Sequence, residues 1–263
     1  MTQAIANVTA VDAAVLEDKV QAMYRDVADN PHGEYHFEMG RAMAERLGYP
    51  AAVLDRIPAQ SIESFAGVGY YFDLAGLQPG ERVLDLGSGS GMDAFFAAEL
   101  VGPAGGVVGV DMTDAQLRKA DALRTAAGYA QVIYQKGYIQ SVPQEDASFD
   151  AVISNGVINL APSKARVFQE AARLLRPGGR LALADIVTER QLPEDVTCDA
   201  TLWAACIGGA QPQDRYLEAI RAAGLVIDAV RDNPEYHFIS DGAKWATDNF
   251  GVKSVSILAR KPA

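Results

Sequence analysis

Hydrophobic positions recur along this chain with two periods, and the change from one to the other divides it. Over residues 12–29 the apolar positions Val15, Leu16, Val20, Met23, Tyr24 and Val27 fall at helical spacing. Asn30-Pro31 ends that run, because the residue before a proline is pushed out of the helical region. A loop and a second helix follow, with Gly48 placed to cap its C-terminus, then a short helix near residues 51–56. The stretch 61–76 is rich in aromatics and glycine. From Gly80 onward short apolar runs alternate with helical patterns. Strands are expected at 83–87, 107–111, 131–135, 149–154 and 180–185, with helices at 92–101, 114–127 and 163–175 between them. Gly128 marks the end of the second of these helices, and Asp114 is placed to cap its start. Such alternation predicts a doubly wound, mostly parallel α/β sheet.

The last third departs from it. An apolar helix is expected within 190–210, a helix over 213–223, a strand at 225–231, a long aromatic connection over 232–251 and a closing strand at 252–260. The domain reading is an N-terminal helical cap over residues 1–76 and an α/β domain over 77–263 with insertions at 190–210 and 232–251. The second insertion is expected to help roof the substrate site.

The chemistry concentrates at residues 83–93, V-L-D-L-G-S-G-S-G-M-D. A buried strand, a tight turn with Gly87, Gly89 and Gly91, and an alanine-rich helix form the nucleoside- or phosphate-binding corner of an open α/β sheet. Glycine belongs there because the backbone turns sharply and a ligand must approach it closely. A dinucleotide loop reads G-x-G-x-x-G, and the position of its closing glycine is Met92 here, which counts against a nicotinamide dehydrogenase. Asp85 lies inside the strand. Asp111 ends the next apolar run, G-V-V-G-V-D, where a carboxylate can accept both hydroxyls of a ribose.

Composition narrows the partners. The formal net charge is −11 with no basic block, and 49% of the 263 residues are hydrophobic. A basic groove for nucleic acid is excluded, as is attraction to an anionic membrane; a small-molecule substrate is expected. No run reaches the ~18 apolar residues of a membrane span. The N-terminus M-T-Q-A-I-A-N-V lacks a basic region followed by an apolar core, so a cytoplasmic protein is expected. No metal is expected, and a homodimer is left open.

D-L-G-S-G-S-G with Asp111 resembles the cofactor-binding motifs of class I S-adenosylmethionine (SAM) methyltransferases. The resemblance implies a Rossmann-like, doubly wound seven-stranded sheet of order 3-2-1-4-5-7-6 with the last strand antiparallel. It implies SAM as cofactor and S-adenosylhomocysteine as product. It also implies cofactor contacts from Asp85, Gly87, Ser88, Gly89, Ser90, Gly91, Asp111 and Met112, from Gly137, Tyr138 and Ile139 around the adenine, and from Asn155. Asp93 opens the helix after the loop; it is read either as a cofactor contact or as a charge favouring the helix N-terminus.

Residues 154–164, S-N-G-V-I-N-L-A-P-S-K, together with V-G-V-D-M-T-D-A-Q-L, R-L-L-R-P-G-G-R-L-A-L-A-D-I-V and L-W-A-A-C-I-G-G-A, resemble the arsenite methyltransferases within that class. That group holds trivalent arsenic, a soft centre, with thiolates. One of its thiols lies at the position of Gly156. Another lies in a Gly-Cys-Gly segment corresponding to Gly67-Val68-Gly69, and the third matches Cys206. Cys198 is eight residues from Cys206 on an expected helix, about 12 Å away, and cannot replace them; both cysteines are also readable as small buried hydrophobes.

The expected activity is therefore methyl transfer from SAM to a small organic acceptor. Methylation of an arsenical or other thiophile through Cys206, and a non-catalytic SAM sensor, stand as alternatives. Candidate catalytic residues are His36, Asn155 and Cys206. Candidate pocket residues are Tyr24, Tyr70, Tyr71, Gly156, Trp203 and His237. The histidines are readable as bases near neutral pH or as packing residues among aromatics.

Overall fold

A computed structural model describes residues 12–197 and 207–263. Its centre is one seven-stranded sheet of order β3-β2-β1-β4-β5-β7-β6. The strands are β1 (Arg82–Leu86), β2 (Gly106–Asp111), β3 (Val132–Lys136), β4 (Phe149–Asn155), β5 (Leu175–Val187), β6 (Val226–Asp232) and β7 (Lys253–Arg260). β1 to β5 pair in parallel, and β7 runs antiparallel to both β5 and β6. This is the order and polarity that the resemblance implied.

Both sheet faces are covered, which is why the inner strands read as continuous apolar runs. Side chains alternate between the faces. Val83, Val107, Ala151 and Ile153 join one core with α6 (Met92–Val101) and the cap. Leu84, Leu86, Val108 and Val152 join the other, with the helices Lys164–Leu174 and Gln213–Ala222. Alternation places Asp85 on the same face as Val83, against α6.

The cap consists of α1 (Ala13–Asp29), α2 (Arg41–Leu47), α3 (Ala51–Leu54), α4 (Ala59–Glu63) and α5 (Phe72–Ala75). Gly48 ends α2 in the left-handed conformation with φ 109°. Rings seat the cap on α6: Tyr49 and Phe72 lie 5.3 and 4.4 Å from the Phe96 ring, centroid to centroid. α1 packs over α7 (Asp114–Ala127), where Gln116 Nε2 donates to the Tyr24 carbonyl at 2.8 Å.

Three expectations change. Thr113, not Asp114, is the N-cap of α7, and no side chain caps it. β5 is longer than the expected 180–185: it runs from Leu175, with a register shift where Phe149 pairs Leu175 and Ala151 pairs Arg180. The 232–251 connection contains a helix, Asp241–Phe250, and Tyr236 and Phe238 pack on the core instead of the cavity described below. No helix among the described residues is long and apolar enough to cross a membrane.

Candidate active site

The glycine turn is held by its neighbours. Gly87, Gly89 and Gly91 have φ of 75°, 51° and 94°, values that side chains resist. A Cβ on Gly87 would also lie 2.5 Å from the Val157 side chain. The Gly87 and Ser88 N–H groups donate to the Val110 carbonyl at 2.8 and 3.0 Å, tying the turn to the end of β2. Asp111 braces it further: Oδ2 accepts the Gly89 N–H at 3.0 Å and Oδ1 accepts the Thr113 N–H at 2.8 Å. Burial raises the Asp111 carboxyl pKa, and these backbone donors oppose that rise.

The turn opens onto a cavity of about 1080 Å³, counting the space at its mouth. Gly87 to Ser90, Asp85, Asp93, Asp111 and Met112 line one side; Gly137, Tyr138 and Ile139 line a second; Asn155, Val157 and Leu160 line a third. The cap closes it with Leu16, Glu17, Val20 and Tyr24 of α1 and with Ser61 to Gly67 except for Ile62 and Glu63. Asp85 Oδ2 and Ser88 Oγ are buried there with no hydrogen-bond partner. The Asp85 carboxyl, 2% exposed, is raised well above its ordinary range by burial and then by the charges of Asp93 and Asp111. An orphaned buried carboxylate oxygen facing a cavity calls for a donor from a ligand.

Asp93, by contrast, is satisfied within the protein. Oδ1 accepts from the Tyr49 hydroxyl at 2.7 Å, and Oδ2 accepts from the Tyr71 hydroxyl at 2.8 Å and from Asn155 Nδ2 at 3.0 Å. Burial raises its pKa and these three donors lower it. Asn155 Nδ2 also donates to the Gly69 carbonyl at 3.0 Å, while its Oδ1 accepts the Val68 N–H at 2.7 Å. From the other side Ser254 Oγ donates to the Val68 carbonyl at 2.6 Å and Ser256 Oγ to the Tyr70 carbonyl at 3.1 Å. Residues 67–70 are thus strapped between β4 and β7.

The model of a family described as "Methyltransferase domain" matches residues 77–224, more than half of the chain. The chain belongs to this methyltransferase family. It is similar to an arsenite methyltransferase of Halobacterium salinarum, 40% identical over 224 residues, covering 84% of this chain and 56% of that protein. The chain therefore spans about half the length of that relative. Among solved structures it is similar to an arsenic(III) S-adenosylmethionine methyltransferase from Chlamydomonas reinhardtii, with a TM-score of 0.63, 34% identity, and coverage of 86% of this chain and 75% of that one. The geranyl diphosphate C-methyltransferase of Streptomyces coelicolor A3(2) shares the fold, with a TM-score of 0.69 at 17% identity over 95% of this chain and 99% of that one. The family is that of class I, SAM-dependent methyltransferases, and within it the chain resembles the arsenite methyltransferases.

The residues present fit SAM. Asp111 faces the cavity with its remaining lone pairs, suited to a ribose diol. Met112, Tyr138 and Ile139 offer apolar surface to an adenine. Asp85 Oδ2 awaits a donor such as the cofactor's ammonium group, and the start of α6 suits its carboxylate.

Two of the three positions at which the resemblance implies thiols, Val68 and Gly156, come together and carry none. A Cβ on Gly156, whose φ is +71°, would lie 3.2 Å from Val68 Cγ1. Val68 is buried and fills the place beside residue 156. Cys198, Trp203 and Cys206 lie outside the described residues.

The cofactor-side candidates converge on the cavity, with Ser90 reaching it beside Gln116; Tyr24 joins them from the cap. His36, Tyr70, Tyr71, Gly156 and His237 do not line it. His36 sits edge-on to Phe37 at 4.7 Å, and burial lowers its pKa. Tyr71 acts on the site through Asp93. Sequence reasoning missed Tyr49, Phe65, Gln116 and Glu17, because each sits in cap or helix segments whose periodicity marks only burial.

Proposed function

We propose that this methyltransferase moves the SAM methyl group to a small organic acceptor. SAM, when bound, supplies a methyl already activated by a sulfonium. The chain's part is to hold donor and acceptor in line at about 3 Å, which accounts for much of the rate of such displacements. Asp85, Asp111 and the glycine turn fix the donor. Ala66 and Gly67, at the start of the strap held by Asn155, and the α1 residues Leu16, Val20 and Tyr24 form the walls opposite, and they keep water out.

The observation that carries this reading is the Val68–Gly156 contact. Where soft trivalent arsenic needs converging sulfurs, these positions offer an isopropyl group and a hydrogen. A second reading, methyl transfer to an arsenical through Cys206, draws on the arsenite methyltransferase relatives. Incubation with isotopically labelled SAM, in parallel with a small-metabolite extract and with arsenite plus a thiol reductant, separates the two. A labelled organic product is expected. Label found only in methylated arsenic would overturn the proposal, and SAM binding with no transfer in either arm would favour a sensor.

A further inference from the structure

We infer that the acceptor is an organic amine and that the charge of the cavity turns away phosphates and carboxylates. This rests on the methyl-transfer reading above.

Glu17, Asp85, Asp93 and Asp111 line the cavity, and no lysine, arginine or histidine does so among the described residues. The stretches 1–11 and 198–206 contain no lysine, arginine or histidine in their sequences, and their one charged side chain is Asp199. Two lysines touch the wall from behind, and both point their ammonium groups at it as structural donors. Lys119 Nζ donates to Ser64 Oγ at 2.6 Å and to the Ala28 carbonyl at 3.2 Å. Lys164 Nζ donates to the carbonyls of Asn159 and Ala161 at 3.0 and 3.2 Å, near Asp185. Neither side chain lines the cavity.

An anionic acceptor would therefore be desolvated among four carboxylates with no cation to receive it. The feature that favours an anion here is the N-terminal end of α6 with the turn before it, and SAM brings a carboxylate of its own to that place. An amine meets the opposite situation. Three of the aspartates have structural or cofactor work: Asp111 braces the turn, Asp93 closes the tyrosine–asparagine network, and Asp85 faces the cofactor's ammonium. Glu17 is different. It is half-buried on α1, seven residues or two turns before Tyr24, which lines the same cavity as Phe65. Carboxylate and aromatic faces together are the surroundings in which an alkylammonium is stable.

The transfer balances without a further reagent. The bound alkylammonium first passes one proton to the Glu17 carboxylate, which frees the nitrogen lone pair. That lone pair forms the N–C bond, and the C–S bond breaks with its electrons left on sulfur, giving S-adenosylhomocysteine and a methylated ammonium.

The test uses the full chain loaded with S-adenosylhomocysteine and three probes on one ring: benzylamine, benzyl alcohol and benzoate. Ligand-observed NMR titration should give benzylamine at least about tenfold tighter than benzoate, and Glu17→Gln should remove most of that difference. Equal or tighter benzoate binding would overturn the inference. In a second arm, labelled SAM is offered with a pool of primary and secondary amines or a pool of carboxylates and phosphates. Label in the amine pool is expected; its absence there, with or without label in the anionic pool, overturns the inference. Failure of S-adenosylhomocysteine itself to bind would instead remove the methyl-transfer reading.

Discussion

Asn155, at the end of β4, donates from Nδ2 to Oδ2 of Asp93, at the start of α6, at 3.0 Å. Asp93 can only accept, so it fixes which end of the Asn155 amide faces it, and Oδ1 is left to take the Val68 N–H. The carboxylate next to the glycine turn thereby sets the position of the strap. Asn155→Asp would set two carboxylates against each other in a buried site. We expect a loss of about 3 kcal/mol in unfolding free energy at neutral pH. Part of it should return as pH falls, because protonating either carboxyl removes the repulsion. Urea unfolding at neutral and acid pH measures both; a pH-independent loss would mean that lost shape, not charge, is responsible.

Asp85 leads to a pH dependence of cofactor affinity. Burial and the charges of Asp93 and Asp111 raise its pKa well above the ordinary carboxylate value, so the cofactor-free protein holds a proton there into less acidic solution than an exposed aspartate. Pairing with an ammonium group requires the ionised form. Affinity for SAM should weaken as pH falls through that raised pKa, and binding should release a proton. Asp85→Asn should cost about 2 kcal/mol of binding, roughly thirtyfold, and flatten the pH profile. Calorimetry in buffers of different ionisation enthalpy reads the proton directly. An unchanged slope in the variant would move the ammonium elsewhere.

Lys164 and Asp185 explain part of the S-N-G-V-I-N-L-A-P-S-K segment. Asp185 Oδ2 accepts the Asn159 N–H at 2.9 Å and the Tyr216 hydroxyl at 2.6 Å, and Lys164 holds the next carbonyls of the same turn. Together they fix the 3-10 turn Ile158–Leu160, whose neighbours line the cavity. Burial raises Asp185 to about 6 and lowers Lys164 to about 8. The signs differ. Between 3.8 and about 6 the folded state binds more protons at Asp185, so its contribution falls as pH rises. Between about 8 and 10.5 the unfolded state binds more protons at Lys164, so its contribution grows with pH. Lys164→Met should lose the upper limb and cost about 3–5 kcal/mol at neutral pH; adding Asp185→Asn should recover much of that. Unfolding free energies across pH decide it, and a double variant no better than the single would separate the two residues.

The framework was legible because its rules are local. Period and turn residues placed β1 to β4 within a residue or two, and the glycine turn with Asp85 and Asp111 marked the corner that opens onto the cavity. The strap was not legible. Asn155 reaches Val68 across 87 positions, and Ser254 reaches it across 186, so nothing in either neighbourhood announces the meeting. His36 and His237 drew attention as residue types, yet neither lines the cavity, whereas Tyr49 passed unnoticed because a tyrosine after a helix-capping glycine reads as packing. Its hydroxyl, not its ring, ties it to Asp93.

The same strap offers a way to test the Val68–Gly156 contact. Val68 and Gly156 face each other where the resemblance places two arsenic-binding thiols, so Val68→Cys with Gly156→Cys should bring two sulfurs to one spot. Cysteine at 156 must adopt φ near +71°, which costs about 1–2 kcal/mol. Shortening Val68 removes the group that a new Cβ would press against at 3.2 Å, so the double variant should be less strained than Gly156→Cys alone. Under reducing conditions we expect the double variant to bind arsenite at least about tenfold more tightly than the parent, since converging thiolates suit a soft centre, while SAM affinity stays within about threefold. Calorimetry with each ligand reads both. Arsenite binding equal to the parent's would mean that the two positions do not converge as described. Tight arsenite binding by the parent itself would mean that Cys206 suffices, and would return the arsenical reading to first place.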